Sequence, residues 1–230
     1  MNGRNPDFIL IGAMKAGTSV TIRMLGQHRQ IKTVQDRFGE VHFFDNPKKW
    51  VKGVEWYRGL FANCNGKIAG EKTPRYMSDV KAMILMQKFC PDVKLIAILR
   101  DPVVRFISHR TFQTFGRNPK GNAEIFWRGC YAPQLQNVFG LFPRDRVHIL
   151  FNESLREDTE GEIKKIYAFL GADPVERVNV RRSNRRSGQD PKWDSLKKEL
   201  AERYRPYNQA LIQLLPDREE EINRWLGMKG

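Results

Sequence analysis

Residues 7–19 read Asp7-Phe8-Ile9-Leu10-Ile11-Gly12-Ala13-Met14-Lys15-Ala16-Gly17-Thr18-Ser19, and the predicted fold is built around them. The stretch begins with a short, continuous apolar run, which is typical of a parallel strand that is buried on both faces. The two glycines that follow allow a tight turn, and the Thr-Ser pair after them can cap a helix. The stretch therefore predicts a strand, a glycine-bounded loop and a helix.

Such a unit is suited to binding a phosphate group. The free N–H groups and the positive dipole end of the helix start converge on one anion, and the Lys15 ammonium can join them. Nucleoside triphosphatase loops carry their lysine directly after the second glycine. Here Lys15 comes two residues before Gly17, so the order departs from that of kinases and GTPases. Taken alone, the stretch also fits a purely structural strand-helix corner.

The composition indicates one basic domain. The 230 residues include 40 Lys and Arg against 26 Asp and Glu, which gives a formal net charge of +14, and 40% are hydrophobic. This length allows one good-sized core, so we expect a single domain over residues 1–230. The positive charge favours anionic partners, namely nucleotides, nucleic acid, sulfated or carboxylated glycans, or acidic lipid surfaces.

The cysteines and the hydropathy pattern bear on location. Cys64, Cys90 and Cys130 are odd in number and lack C-x-x-C spacing, which argues against a disulfide framework and a structural zinc site. No apolar run approaches the roughly 18 residues of a membrane span, and the polar start does not resemble a signal peptide. We therefore expect a cytoplasmic protein without stable membrane insertion, although a piece of an anchored enzyme would show the same pattern.

Strand-like runs alternate with amphipathic helices along the chain. After the first strand, buried strands are predicted at 67–72, 93–99 and 147–151, with helices at 50–61, 78–90, 160–171 and 191–215. This alternation predicts an α/β fold of three layers, in which helices flank a central parallel sheet.

Charged residues stand where the predicted strands end. Glu71 and Lys72 end one strand, and Arg100 directly follows another. The carboxyl ends of parallel strands form the edge at which open α/β sheets bind ligands. Arg100 can hold a phosphate through two N–H groups, and Ser108 on the next helix can add a hydroxyl. The alternatives are that Lys72 is a surface charge and that Arg100 caps its own sheet edge.

Residues 35–45 alternate charged with large apolar side chains, which predicts a half-buried strand or an extended loop. With a period of two, Glu40 and His42 share one face, so two groups able to move protons lie side by side. An ordinary edge strand with a solvated glutamate is the alternative.

Five motifs together resemble the glycan sulfotransferases, and especially the heparan sulfate 3-O-sulfotransferase-like group, in order and spacing over nearly the whole chain. They are Lys15-Ala16-Gly17-Thr18-Ser19, Glu40-Val41-His42-Phe43-Phe44-Asp45, Glu71-Lys72-Thr73-Pro74, Leu99-Arg100-Asp101-Pro102 with Ser108, and Gly188-Gln189-Asp190-Pro191. The resemblance implies a fold like that of P-loop nucleoside triphosphate hydrolases. It also implies the sulfate donor 3′-phosphoadenosine 5′-phosphosulfate (PAPS), which leaves as adenosine 3′,5′-bisphosphate (PAP).

The resemblance further implies a role for each motif. Glu40 is the base for the acceptor with His42 as the fallback, Lys72 and His42 line the acceptor side, and Lys15 stabilises the leaving phosphate. In-line transfer of this kind needs no metal, because lysine and arginine supply the positive charge. The nucleotide contacts implied are Lys15, Ala16, Gly17, Thr18 and Ser19 for the 5′-phosphosulfate, Arg100 and Ser108 for the 3′-phosphate, and a loop at Arg186, Ser187 and Gly188 whose residue types differ from the family's.

Two other functions stay open at this point. A P-loop-like nucleoside or sugar kinase would need magnesium ligands and should prefer ATP. A nucleic-acid-binding protein could use the basic run Arg181 to Arg186, but most aromatic residues fall at core-like spacing. We therefore expect a small-molecule or glycan acceptor and no nucleic acid. The chain is compact and lacks the paired cysteines of the animal enzymes, so it resembles a bacterial or other cytosolic relative.

Overall fold

A computed structural model of the chain describes residues 3–35, 39–64, 66–114, 121–179 and 190–227. Its strands form one five-stranded sheet in the order β2-β3-β1-β4-β5, and every neighbouring pair is parallel. The strands are β1 (Phe8–Gly12), β2 (Ile31–Val34), β3 (Ile68–Lys72), β4 (Lys94–Leu99) and β5 (Val147–Phe151).

Helices connect the strands and flank the sheet. The chain leaves β1 towards one edge of the sheet and returns from β3 towards the other, so right-handed crossovers place the intervening helices on opposite faces. The helices are α1 (Thr18–Leu25), α2 (Pro47–Trp50), α3 (Val54–Gly59), α4 (Val80–Phe89), α5 (Pro102–Thr114), α6 (Asn122–Trp127), α7 (Tyr131–Leu141), α8 (Asn152–Glu157), α9 (Thr159–Leu170), α10 (Asp194–Leu214) and α11 (Glu219–Trp225).

The central strands are fully enclosed. All of β1 is buried, and so is β4 from Leu95 onwards. Because both faces of these strands are covered by helices, their sequences read as continuous apolar runs rather than as alternating ones. The prediction of a three-layer α/β fold with a parallel central sheet is therefore confirmed.

Several local features differ from the sequence expectations. β2 was not predicted, since it is a short strand at the edge of the sheet and is only partly buried. Of the helix expected at 50–61, residues 54–59 form α3, whereas Trp50 ends the preceding α2 and Gly53 takes a positive φ of 80° between the two helices. The helix expected at 191–215 is present as α10, which continues through Pro206. Within the described ranges, no helix combines the length and the apolar character that crossing a membrane requires.

Candidate active site

The loop between β1 and α1 is anchored from neighbouring elements. The N–H of Ala13 donates to Ile98 O in β4 at 2.7 Å. The Asn152 side chain, at the start of α8, donates to Ala16 O at 2.9 Å. Gly17, which precedes α1, has a φ of 105°, a left-handed conformation that favours glycine. These contacts fix the loop at the carboxyl edge of the sheet.

Two cations belong to this loop or contact it, namely Lys15 within it and Arg100 after β4. The Arg100 guanidinium donates from Nη1 to Lys15 O at 3.0 Å, which ties the end of β4 to the loop. The Lys15 Nζ lies 4.0 Å from the centre of the Phe112 ring, at the end of α5. Arg100 is only 8% exposed, and burial lowers its pKa from the usual range. Lys15 and Arg100 therefore lie at the same edge of the sheet, as the sequence predicted.

The start of α5 fixes the backbone next to Arg100. Asp101 Oδ1 accepts hydrogen bonds from the N–H groups of Val103 and Val104 at 2.8 and 3.3 Å, so Asp101 is the N-cap of α5. The Arg100 carbonyl accepts the Tyr131 hydroxyl at 2.8 Å. Ser108 lies further along α5 and is 9% exposed. Its contact with a nucleotide stays a prediction.

Lys72 connects the loop to a second group of residues. It ends β3, which is paired with β1 in a register that sets Leu10 opposite Lys72. Its Nζ lies 3.2 Å from Ser19 Oγ and 2.8 Å from Glu40 Oε1. Lys72 is 5% exposed, so the alternative of a surface charge does not describe it. A buried ammonium paired with a carboxylate links the start of α1 to the residues that follow β2.

Glu40 and His42 meet in a turn rather than on a strand. The structure shows no strand over residues 39–45, and His42 has a left-handed backbone φ of 54°. The His42 ring lies between two carboxylates, with Nε2 at 3.0 Å from Glu40 Oε2 and Nδ1 at 3.0 Å from Asp45 Oδ2. The predicted proximity of Glu40 and His42 is thus present, but a change of chain direction produces it.

The protonation of this turn follows from its contacts. Hydrogen bonds to Asp45 and Glu40 outweigh burial and raise the pKa of His42 to about 9. Burial favours the neutral form of Glu40, but hydrogen bonds from His42 and Lys72 prevail and lower the pKa of that carboxyl. At neutral pH, His42 is an imidazolium that donates from both nitrogens, and Glu40 is an ionised acceptor.

Asp45 and Asn152 were not predicted as site residues. The Asp45 carboxylate accepts a hydrogen bond from Nδ1 of His42, and Arg75 Nε lies 3.6 Å from the same carboxylate. The signal for Asp45 was the His-x-x-Asp spacing within a turn. The signal for Asn152 was its place directly after β5, at the same sheet edge as Arg100. The predicted nucleotide contacts Arg186, Ser187 and Gly188 lie outside the described residues.

The described part of the chain also bears on metal and thiol chemistry. Within it, no group of three or more His, Cys, Asp or Glu side chains is placed to hold a metal ion. Cys64, Cys90 and Cys130 are free and buried. Burial raises the pKa of Cys90 and of Cys130 to about 12, so these two thiols are poor nucleophiles at neutral pH.

Comparison with known proteins gives one family. The pattern of the family described as "Sulfotransferase domain" matches residues 5–212. Heparan sulfate glucosamine 3-O-sulfotransferase 6 of Mus musculus is 31% identical over 190 residues, which are 75% of this chain and 54% of that protein. Heparan sulfate glucosamine 3-O-sulfotransferase 3B1 of Mus musculus is 32% identical over 185 residues, or 72% of this chain and 46% of that protein. The chain spans about half the length of these curated relatives.

A solved structure shares the fold. The sulfotransferase from Alicyclobacillus acidocaldarius superposes with a TM-score of 0.77 at 23% sequence identity, over 92% of this chain and 96% of that one. The family pattern begins before β1 and ends within α10, and it therefore includes all the described strands and the loops that follow them. The chain belongs to the sulfotransferase domain family.

Proposed function

We propose that this protein transfers a sulfuryl group from PAPS to a hydroxyl or amine acceptor by in-line displacement. The observation that carries the proposal is Lys72, which contacts Ser19 of the predicted phosphate loop and Glu40 of the predicted acceptor side at once. A sulfate donor bound at Ser19 and an acceptor bound at Glu40 would then both lie next to the Lys72 ammonium. Family membership supports the same chemistry.

On the donor side, the loop and its cations hold the nucleotide. Lys15 to Ser19 surround the 5′-phosphosulfate, and Arg100 with Ser108 binds the 3′-phosphate. The predicted contacts Arg186, Ser187 and Gly188 complete this side. As the bond between the sulfur and the bridging oxygen breaks, negative charge grows on the leaving phosphate of PAP. Lys15 and the loop N–H groups stabilise that charge from fixed positions.

On the acceptor side, Glu40 takes the proton. The acceptor oxygen or nitrogen forms its bond to sulfur while its proton passes to the Glu40 carboxylate. His42 is a poor candidate for this role, since its raised pKa of about 9 keeps it protonated at neutral pH. His42 instead orients Glu40 from one oxygen, and Lys72 orients it from the other. Because a carboxylate has about four lone-pair sites, Glu40 can accept a further hydrogen bond, from the acceptor, beside those from His42 and Lys72.

The names of the relatives suggest an acceptor class. The two mouse proteins are named for heparan sulfate glucosamine. We infer a glycan or small-molecule acceptor for this chain, which the positive net charge of +14 would help to attract if the acceptor is anionic.

Two measurements test the proposal. Calorimetric titration should show binding of PAP without added metal, and weaker binding of ATP with Mg²⁺. Purified protein should then move labelled sulfate from PAPS to at least one member of a panel of glycans, phenols, amines and lipids. Preference for ATP with phosphoryl transfer would favour the kinase alternative. Absence of PAP binding would refute the proposal.

A further inference from the structure

The turn of residues 40–45 is held by hydrogen bonds of its backbone N–H groups as well as by ion pairs of its side chains. The N–H of His42 donates to Thr73 Oγ1 at 3.1 Å. The next two N–H groups of the turn both donate to the Tyr76 hydroxyl, at 2.8 and 3.3 Å. Three consecutive N–H groups of the turn thus donate hydrogen bonds to two side-chain hydroxyls of residues that follow β3.

Both hydroxyls meet one buried carboxylate. The Thr73 hydroxyl donates to Glu71 Oε2 at 2.7 Å, and the Tyr76 hydroxyl lies against the same group. Tyr57 donates to Glu71 Oε1 at 3.3 Å. Glu71 itself is 0% exposed, and burial raises its pKa to about 7. When Glu71 is ionised, it accepts hydrogen bonds from these hydroxyls, and the hydroxyl oxygens are left to accept the N–H groups of the turn with their lone pairs.

The strand explains why the turn is held from two sides. Successive residues of a strand point to opposite faces of the sheet. Lys72 therefore reaches the Glu40 side chain from one face. Its neighbour Glu71 points the other way and reaches the backbone of the turn through Thr73 and Tyr76. One strand end thus fixes both the side chain and the backbone of the turn.

We propose that Glu71 is a positioning residue, which holds the turn through the Thr73 and Tyr76 hydroxyls and keeps the His42 ring between Glu40 and Asp45. The left-handed backbone of His42, with a φ of 54°, is unfavourable for a non-glycine residue and persists only when its surroundings hold it. The catalytic meaning of the turn rests on the proposed function, whereas the network itself can be measured without turnover.

The first test reads the network through the His42 ring. Nuclear magnetic resonance of protein labelled at the histidine ring carbons follows all four histidines through a pH titration. In wild-type protein, His42 should titrate near pH 9. Thr73→Val removes the hydroxyl at similar size and should lower the His42 pKa by about one unit or more, as the ring leaves its carboxylates. Thr73→Ser keeps the hydroxyl and should leave the pKa unchanged.

The second test uses Tyr76→Phe and Glu71→Gln, with Tyr167→Phe as the matched control. Tyr167 also has a buried hydroxyl bonded to backbone, donating to Met24 O at 3.1 Å, but it lies in α9. In the sulfate-transfer assay, Tyr76→Phe and Glu71→Gln should lower kcat by about tenfold to a hundredfold, because a small displacement of reacting groups is costly. The KM for PAPS and the affinity for PAP should stay within about twofold. Tyr167→Phe should retain wild-type kcat.

The outcomes separate the two proposals. If wild-type protein transfers no sulfate, the proposed function fails, but the His42 titration still decides the network. If the His42 pKa stays near its wild-type value in both Thr73→Val and Tyr76→Phe, Glu71 does not position the turn. If Thr73→Ser is as impaired as Thr73→Val, the hydroxyl is not the acting group and the proposal is wrong. Should Thr73→Val fail to fold, Tyr76→Phe and Glu71→Gln decide the question by the same titration.

Discussion

Replacing Gly17 with alanine should loosen the phosphate loop. The same replacement at Gly171 serves as a control, because it introduces only the backbone strain. Gly17 has a φ of 105°, and a Cβ there would lie 2.8 Å from Asn152 Nδ2. That nitrogen donates the hydrogen bond to Ala16 O that anchors the loop. Gly171, which ends α9, has a φ of 82°, and a Cβ added there would meet none of the described residues within 4 Å. Gly171→Ala therefore carries the backbone strain alone.

The magnitudes follow from these contacts. Left-handed backbone costs a residue with a Cβ about 1 to 2 kcal/mol, and we expect this loss of unfolding free energy in Gly171→Ala. Gly17→Ala should lose the same amount and, because Asn152 must move, about 1 to 3 kcal/mol more for the buried carbonyl left without its donor. Displaced loop N–H groups should also weaken PAP binding by about tenfold, or about 1.4 kcal/mol.

Urea denaturation and calorimetric titration with PAP measure the two effects. Asn152→Ala should be destabilising alone but nearly neutral in the Gly17→Ala background, because the same hydrogen bond is already broken there. The two changes should thus be non-additive, as neighbouring sites in one contact are. Equal losses in Gly17→Ala and Gly171→Ala, with full PAP affinity in both, would show that Asn152 does not brace the loop.

Three further predictions concern the reacting groups. Lys15→Ala should still bind PAP in a titration but lose about 10² to 10³ in kcat, since a preorganised charge donor is missing; turnover within about tenfold of wild type would contradict this role. Glu40→Gln should lower kcat by at least about 10² and leave PAP affinity nearly intact, and a loss seen only on replacing His42 would exchange the two roles. Asp45→Asn should move the alkaline limb of the kcat profile, expected near the His42 pKa of about 9, to lower pH, because a raised pKa falls when its carboxylate partner is neutralised. An unmoved limb would refute that assignment.

The parts of the fold that could be read from sequence are those with both faces covered. β1 and β4 are enclosed by helices, so nearly every residue is apolar and the run is visible without a structure. β2 belongs to the edge of the sheet and shows a mixed pattern of burial over four residues. Its place depends on pairing with β3, which is a contact between segments far apart in sequence.

The site divides in the same way. Lys15, Lys72 and Arg100 each follow a central strand or end one, and parallel strands end at a common edge, so their convergence could be predicted. Asp45 and Asn152 act through the path of a turn and through the packing of α8 against the loop. No sequence period reports either feature. The left-handed backbone of His42 is equally invisible, since the N–H of His42 bonds to the Thr73 hydroxyl, which is far away in sequence.

The strand order gives a direction to the proposed reaction. β1 lies between β3 and β4, and the chain leaves β1 and β3 towards opposite edges of the sheet. Where the strand order reverses in this way, open α/β sheets bind ligands outside the carboxyl ends of the strands. A leaving phosphate on the β1 loop therefore has Lys72 on its β3 side and Arg100 on its β4 side.

The carboxylates on the β3 and β4 sides differ in whether an acceptor molecule can reach them. Glu40 is bonded to Lys72 on the β3 side and is only part-buried, so an acceptor can reach it. On the β4 side, Asp101 accepts the first N–H groups of α5, and Glu153 accepts the N–H of Asp101. One oxygen of each of these carboxyls holds the backbone next to Arg100, and the other Glu153 oxygen, Oε2, is buried away from solvent. The order of the strands and these contacts together favour an acceptor over β3 and the 3′-phosphate over β4.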